Sequence, residues 1–290
     1  MAFDVPVAFF IYNRPEPTAR VFEQIALLRP RRLLIVADGP REGSTDVVPP
    51  AARGVFAARQ VVAHIDWPCD VRRNYAERNL GCRRRMSSGI DWVFSQCEEA
   101  ILLEDDCLPE PTFFPYCAEL LDRYRADERV MVISGDNMQL GHRCTADSYY
   151  FSAIPHIWGW ASWRRAWRHY DVTMADWPNV SRTAFPGNWV GSPVAAAAHR
   201  RLMADVFAGK VDTWDTQWEY ACWKRRGLSI LPAVNLISNI GFGPSATHCR
   251  KPDRFAALPT EAIAFPLKHP GKVELLEEAD LRFFGLAHAA

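Results

Sequence analysis

The chain has 290 residues, enough for one sizeable domain with a substantial core. Its 34 Lys and Arg balance its 34 Asp and Glu, and a formal charge of zero excludes a protein devoted to coating nucleic acid or an anionic membrane. Hydrophobic residues at 49% and charged residues at 23% exclude wholesale disorder, and the one unusual count is eleven tryptophans, nine of them between Trp158 and Trp223.

In chain order, Val5–Tyr12 is a continuous apolar run, the pattern of a parallel strand buried on both faces. Pro15 and Pro17 open a helix in which Val21, Ile25 and Leu28 share a face. Leu33–Ala37 is a second strand, stopped by the turn Asp38-Gly39-Pro40. A helix around Ala51–Val62 and a strand at Val71–Tyr75 lead to Asn79-Leu80-Gly81. A helix with Met86, Ile90 and Phe94 on one face follows, then a strand at Ala100–Leu103 that ends in Glu104-Asp105-Asp106. Phe113, Cys117, Leu120 and Tyr124 mark another helix, and Val130–Ser134 a fifth strand. Repeated βα units of this length imply an α/β fold, a mainly parallel sheet flanked by helices.

After Gly135 the rhythm breaks. Helices are expected at Ala195–Phe207 and Asp215–Arg225 and strand character at Ile230–Ile240, while residues 251–290 read as a loose C-terminal tail. No Pro/Gly-rich linker separates two domains, so residues 1–250 are read as a single domain, with a ligand-binding half at 1–135 and a partner-facing half at 136–250. Trp160, Trp163 and Trp167 have the spacing of a helical core stripe, with Trp158 or Trp160 left to reach a site. The eight cysteines contain no C-x-x-C pair, which speaks against a zinc finger. The N-terminus has no basic leader and no apolar run approaches membrane-helix length, so a cytoplasmic protein is expected, with peripheral contact to the inner membrane left open.

In open α/β sheets, ligands bind at the carboxyl ends of the strands. Here those ends carry Asn13-Arg14-Pro15, Asp38-Gly39-Pro40-Arg41, Asn79-Leu80-Gly81 and Glu104-Asp105-Asp106, all polar. Three adjacent carboxylates repel one another unless a cation intervenes, and hard divalent ions bind to carboxylates together with phosphate oxygens. The same acids could instead favour the start of the following helix. At least one of Arg83, Arg84 and Arg85, with Arg85 as the candidate, could offset the charge of an anionic ligand at this edge, and a solvated helix face is the reading for the other two. Asp215, set between Trp214 and Trp218, suits either a general base or a helix cap.

These segments, with Tyr12-Asn13-Arg14-Pro15, Cys82, Phe113-Phe114, Trp158-Gly159-Trp160, Trp214-Asp215 and Asn239-Ile240-Gly241-Phe242, resemble over residues 5–250 a GT-A-fold glycosyltransferase. The nearest group in kind is the bacterial nucleotide-diphospho-sugar transferases related to animal N-acetylglucosaminyltransferase I. The resemblance implies a Rossmann-like GT-A domain that moves a sugar, with inversion, from a UDP-sugar to a hydroxyl of a glycan or lipid-linked saccharide. It implies that Asp38 accepts from the uracil ring, with Arg14 and Asn79 near the nucleotide. Glu104 and Asp105 would address the ribose or donor sugar, and Asp106 would bind Mn²⁺ (or Mg²⁺), aided by His248. Asp215 would be the base. The relative carries two consecutive acids where this chain has Asp215-Thr216, so Asp212 competes for that role. An NDP-sugar nucleotidyltransferase and a non-catalytic carbohydrate-binding protein are the alternatives. The first lacks its usual glycine-rich loop here, since Asn13-Arg14-Pro15-Glu16-Pro17 has no glycine.

Overall fold

The computed structural model describes residues 3–41, 50–183, 193–242 and 254–288. Its first half alternates β1 (Val7–Ile11), α1 (Pro15–Leu28), β2 (Arg32–Ala37), α2 (Pro50–Val61), β3 (Asp70–Tyr75), α3 (Cys82–Gln96) and β4 (Glu99–Glu104). The second half adds β5 (Cys107–Pro109), α4 (Phe113–Arg123), β6 (Val130–Ser134), β7 (Tyr149–Ser152), β8 (Trp160–Trp163), α5 (Arg164–Trp167) and α6 (Trp177–Val180). It closes with α7 (Pro193–Phe207), α8 (Asp215–Lys224), β9 (Leu228–Pro232), β10 (Ile237–Asn239) and α9 (Glu277–His288).

Eight strands form one sheet in the order β3-β2-β1-β4-β8-β6-β9-β7, and β5 pairs with β10 in a separate two-stranded ribbon. β1, β2, β3 and β4 are mutually parallel, with Phe9 opposite Ile35 on one side and Leu103 on the other. β8 and β7 run against their neighbours, whereas β6 and β9 share the direction of β4. The α/β class with a mostly parallel sheet is therefore as the sequence leads one to expect, and all the carboxyl ends from β3 to β4 fall on one edge.

Strand side chains alternate between two cores. Val7, Phe9, Ile11, Leu33, Ile35, Ile101 and Leu103 face α1 and α4. Ala8, Phe10, Leu34, Val36, Ala100 and Leu102 face α3, α5 and α8. Burial on both faces is why these strands read as unbroken apolar runs. Each fully buried Leu, Ile or Phe contributes about 1.5–3 kcal/mol. β3, at the sheet edge, is the exception: Arg72 and Arg73 are exposed, and charges there discourage edge-to-edge pairing.

Two expectations change. Trp160 and Trp163 do not share a helical stripe, because they lie three residues apart on β8 and so point to opposite faces. Trp163 joins the α1/α4 core, while Trp160 packs with Trp167, Trp214 and Trp218 on the other side. Trp160 is 2% exposed and does not reach a surface site. Residues 254–288 are likewise not a loose tail. Leu275 bridges Phe151, and α9 is pinned by Asp280, whose carboxylate accepts from Ser152 Oγ at 2.6 Å and from the Ala153 amide at 2.8 Å. Among the described residues the cysteines are free thiols, and no helix is long and apolar enough to cross a membrane.

Candidate active site at the carboxyl edge of the sheet

The acidic triplet sits where β4 leaves the sheet. Apolar Ile101-Leu102-Leu103 fixes the strand in the core, so Glu104, Asp105 and Asp106 emerge together at its end. Arg14, at the start of α1 beside the end of β1, places its guanidinium between two of them. Nη2 pairs with Asp105, and with Asp106 Oδ2 at 2.8 Å. The Tyr12 amide also donates to Asp105 Oδ2, at 3.2 Å. Burial works against the charge on Arg14, but Asp105 and Asp106 outweigh it and raise its pKa. Burial pushes Asp105 up to about 6, against the opposing pull of Arg14. Glu104 is raised well above the ordinary carboxylate range by burial, then by Asp106 and Asp105.

The β5–β10 ribbon holds the far side of the triplet. Cys107 pairs with Asn239, the Ile240 amide donates to the Asp106 carbonyl at 2.8 Å, and Asn239 Oδ1 accepts from the Gly241 amide at 2.9 Å. Gly241 is thereby brought so close to Asp106 that an added Cβ would lie 2.0 Å from Oδ2. Phe242 then meets the half-buried Trp158 edge to face at 5.9 Å. Trp158, not Trp160, is the tryptophan that borders the site.

Asp38, at the end of β2, is 6% exposed and organises a neighbouring loop. Its Oδ1 accepts from the amides of Gly39 and Leu80, and its Oδ2 from Asn79 Nδ2 at 2.9 Å. Burial raises its pKa despite these bonds. Arg59 of α2, which the sequence reading passed over, donates to the carbonyls of Asp38 and Ala76 and lies over the Tyr75 ring at 4.7 Å. Arg85 is buried and engaged with Asn74 at the end of β3, at 2.7 Å to the carbonyl and 3.0 Å to Oδ1. It underpins this corner, and Asp38 is the acidic charge that acts on it.

Asp215 opens α8, which is seated by Trp214 and Trp218 in the aromatic cluster. Trp214 stacks on Trp160 with centroids 5.8 Å apart, and Tyr170 OH donates to the Trp214 carbonyl at 3.2 Å. Asp215 is the first residue of α8 and does not cap it: the cap position is Trp214, which makes no side-chain cap hydrogen bond. Asp215 Oδ1 accepts from the adjacent Thr216 amide at 2.7 Å and from Thr213 Oγ1. Oδ2 carries no hydrogen bond among the described residues, which leaves an oxygen for other chemistry. The charge of Asp215 is among those that raise Glu104, after burial, Asp106 and Asp105. Asp212, by contrast, is 63% exposed and 3.9 Å from Arg83. The Cys82 thiol is pushed up by burial and then by the charges of Glu104, Asp215, Asp212 and Asp38, which keeps it in the protonated, weakly nucleophilic form.

The donor set suits a hard divalent cation shared with a ligand. Among the described residues the hydrogen-bond partner of Asp106 Oδ1 is the Cys107 thiol, at 3.7 Å, and Mg²⁺ or Mn²⁺ commonly takes one or two carboxylates with phosphate oxygens and water. Among the described residues no three His, Cys, Asp or Glu side chains are grouped to hold a metal by themselves. His248 lies outside the described residues.

Neither a family model nor a curated protein sequence matches the chain. Among solved structures it is similar to mouse xyloside xylosyltransferase 1 in its apo form, at 11% identity and TM-score 0.35, over 75% of this chain and 81% of that one. It is similar to 4-diphosphocytidyl-2C-methyl-D-erythritol synthase from Anaerococcus prevotii at 7% identity and TM-score 0.33, over 63% and 78% of the two chains. A UDP-glucose pyrophosphorylase complexed with UDP-glucose gives 8% identity and TM-score 0.27, over 52% and 63%.

Proposed function

We propose that the chain is a GT-A-type inverting glycosyltransferase that moves a sugar from a UDP-sugar to a hydroxyl of a glycan or lipid-linked saccharide. The observation that carries this reading is the meeting, on one sheet edge, of the Arg14-bridged triplet Glu104-Asp105-Asp106 at the end of β4 with the buried Asp38 at the end of β2, two strands away.

Asp38 accepts from the uracil N–H, with Asn79 and Arg59 holding its loop in shape. Glu104 and Asp105 take hydroxyls of ribose or donor sugar, and Arg14 sets positive charge beside the diphosphate. Asp106 and His248 would hold Mn²⁺ or Mg²⁺, which when bound offsets the charge that builds on departing UDP. Asp215, through Oδ2, takes the proton of the acceptor hydroxyl. The acceptor oxygen then bonds to the anomeric carbon opposite the leaving group, the bond to UDP breaks, and UDP departs with the electron pair. A single displacement of this kind inverts the anomeric configuration. Trp158 and Phe242 supply apolar faces on which a sugar ring can stack.

Thermal unfolding with UDP checks the binding half of this reading. UDP should raise the melting temperature of the wild type only when Mn²⁺ or Mg²⁺ is present, and Asp106→Ala should lose that dependence. Equal shifts in the two proteins would remove Asp106 from the metal site.

A further inference from the structure

The loop that delivers Asp215 is fastened from outside its own helices. Residues 208–214 join α7 to α8, and Arg83, in the first turn of α3, reaches over to them. Its Nη2 donates to the Val206 carbonyl at 3.2 Å and to the Val211 carbonyl, and its Nε lies 3.9 Å from Asp212 Oδ1. The side chain is 23% exposed, so this contact is largely shielded from water. The Val206 carbonyl, in the last turn of α7, also accepts from the Gly209 amide at 3.0 Å, while Val211 lies in the loop itself. One planar guanidinium bonded to both carbonyls ties the end of α7 to the approach to α8.

The same stretch touches the nucleotide side. Gly81 precedes α3 with φ of 79°, and a Cβ there would lie 3.2 Å from Asp212 Oδ2. Two residues earlier, Asn79 Nδ2 and the Leu80 amide bind the Asp38 carboxylate. Residues 79–83 thus connect the carboxylate proposed for uracil to the loop that carries the proposed base. The three consecutive arginines part company here: Arg83 faces the loop, Arg84 is exposed, and Arg85 is buried against Asn74.

We infer that Arg83 is a positioning residue: it holds the 208–214 loop so that Asp215 stands in register with the acceptor hydroxyl. The inference rests on Asp215 as base, and it assigns Arg83 no contact with either substrate. A misplacement of about 1 Å can cost about 100-fold in rate. Arg83→Ala should therefore lower kcat by about 10- to 100-fold and leave the KM for the UDP-sugar within about twofold. Arg83→Lys, an ammonium that cannot span both carbonyls, should fall between.

The experiment combines these kinetics with UDP binding and amide hydrogen exchange of the peptide spanning residues 206–214, on the full chain. The inference expects faster exchange confined to that peptide in Arg83→Ala, unchanged UDP affinity, and a loss in kcat alone. Unchanged exchange, or faster exchange with unchanged kcat, would overturn it. Weakened UDP binding would also overturn it, by moving Arg83 into the donor site. Absence of UDP-sugar turnover in the wild type, with faster exchange in the variant, would overturn the base reading while retaining the clamp, so the two failures are distinguishable.

Discussion

Gly241→Ala is the sharpest single perturbation of the acidic corner. The new Cβ would stand 2.0 Å from Asp106 Oδ2 and 2.7 Å from both its Cβ and Cγ, whereas side-chain Cβ atoms essentially never approach other heavy atoms within 3.0 Å. Rotation of the carboxylate relieves the contact with Oδ2 but not the one with Asp106 Cβ, which moves only with the backbone. Something must therefore shift by about 1 Å, and overpacking of this kind typically costs about 1–3 kcal/mol. The backbone on both sides is tied, by the Ile240 amide to the Asp106 carbonyl and by Asn239 to the Gly241 amide. The strain should therefore act on the Arg14–Asp106 contact rather than dissipate into a loop. The expected outcome is a folded protein, less stable by that amount in urea titration, whose metal-dependent UDP shift is lost or reduced by tenfold or more in affinity. Full metal-dependent UDP binding in Gly241→Ala would show instead that the carboxylate of Asp106 need not stand where it does, and would remove it from the metal site.

Three further outcomes follow from the geometry. Asp280 has its pKa raised to about 6 by burial, against bonds from Ser152 and Ala153, above its ordinary value of 3.8. The folded state therefore holds that proton more tightly, and the stability Asp280 contributes is present below about pH 4 and lost as pH rises to about 6, by about 3 kcal/mol. Asp280→Asn should flatten the pH dependence of urea unfolding in that window; an unchanged slope would contradict the assignment. Trp160→Ala should cost about 3–5 kcal/mol, as expected for a buried aromatic, whereas Trp158→Ala should cost far less and instead raise the KM for a sugar substrate. Steady-state kinetics and denaturation of the pair decide which tryptophan serves the site. Asp215→Asn should retain UDP binding and lose transfer by about 100-fold or more, and retained turnover would shift the base to Asp212.

The sheet was legible because parallel strands buried on both faces leave continuous apolar runs, as in Val7–Ile11 and Arg32–Ala37, and because turn residues mark their ends. The positions of Arg14, Asp38 and the acidic triplet at one edge followed from that alone. Other features depend on direction or distance that composition does not carry. Trp160 and Trp163 fit a helix and a doubly buried strand equally well, and only the strand sends them into different cores. Nothing in Arg83-Arg84-Arg85 tells which arginine turns toward α7, because each residue rotates the helix face by about 100°. The C-terminal helix escaped notice because its contacts are scattered: a buried carboxylate, Asp280, in an acidic first turn that reads as solvent-facing, with Ala279 and Phe284 packed into separate small clusters. The direct Arg14 bridge to Asp105 and Asp106 is likewise a contact across 91 and 92 residues.

The activity proposed for this edge is to bind a UDP-sugar and break its anomeric bond. The most direct test is to incubate the protein with individual UDP-sugars and Mn²⁺, without acceptor, and to quantify UDP and free sugar. Slow release of both in equal amounts from at least one donor, abolished by Asp38→Ala, is the result predicted. No release from any donor, or pyrophosphate formed from UTP and a sugar phosphate, would contradict it.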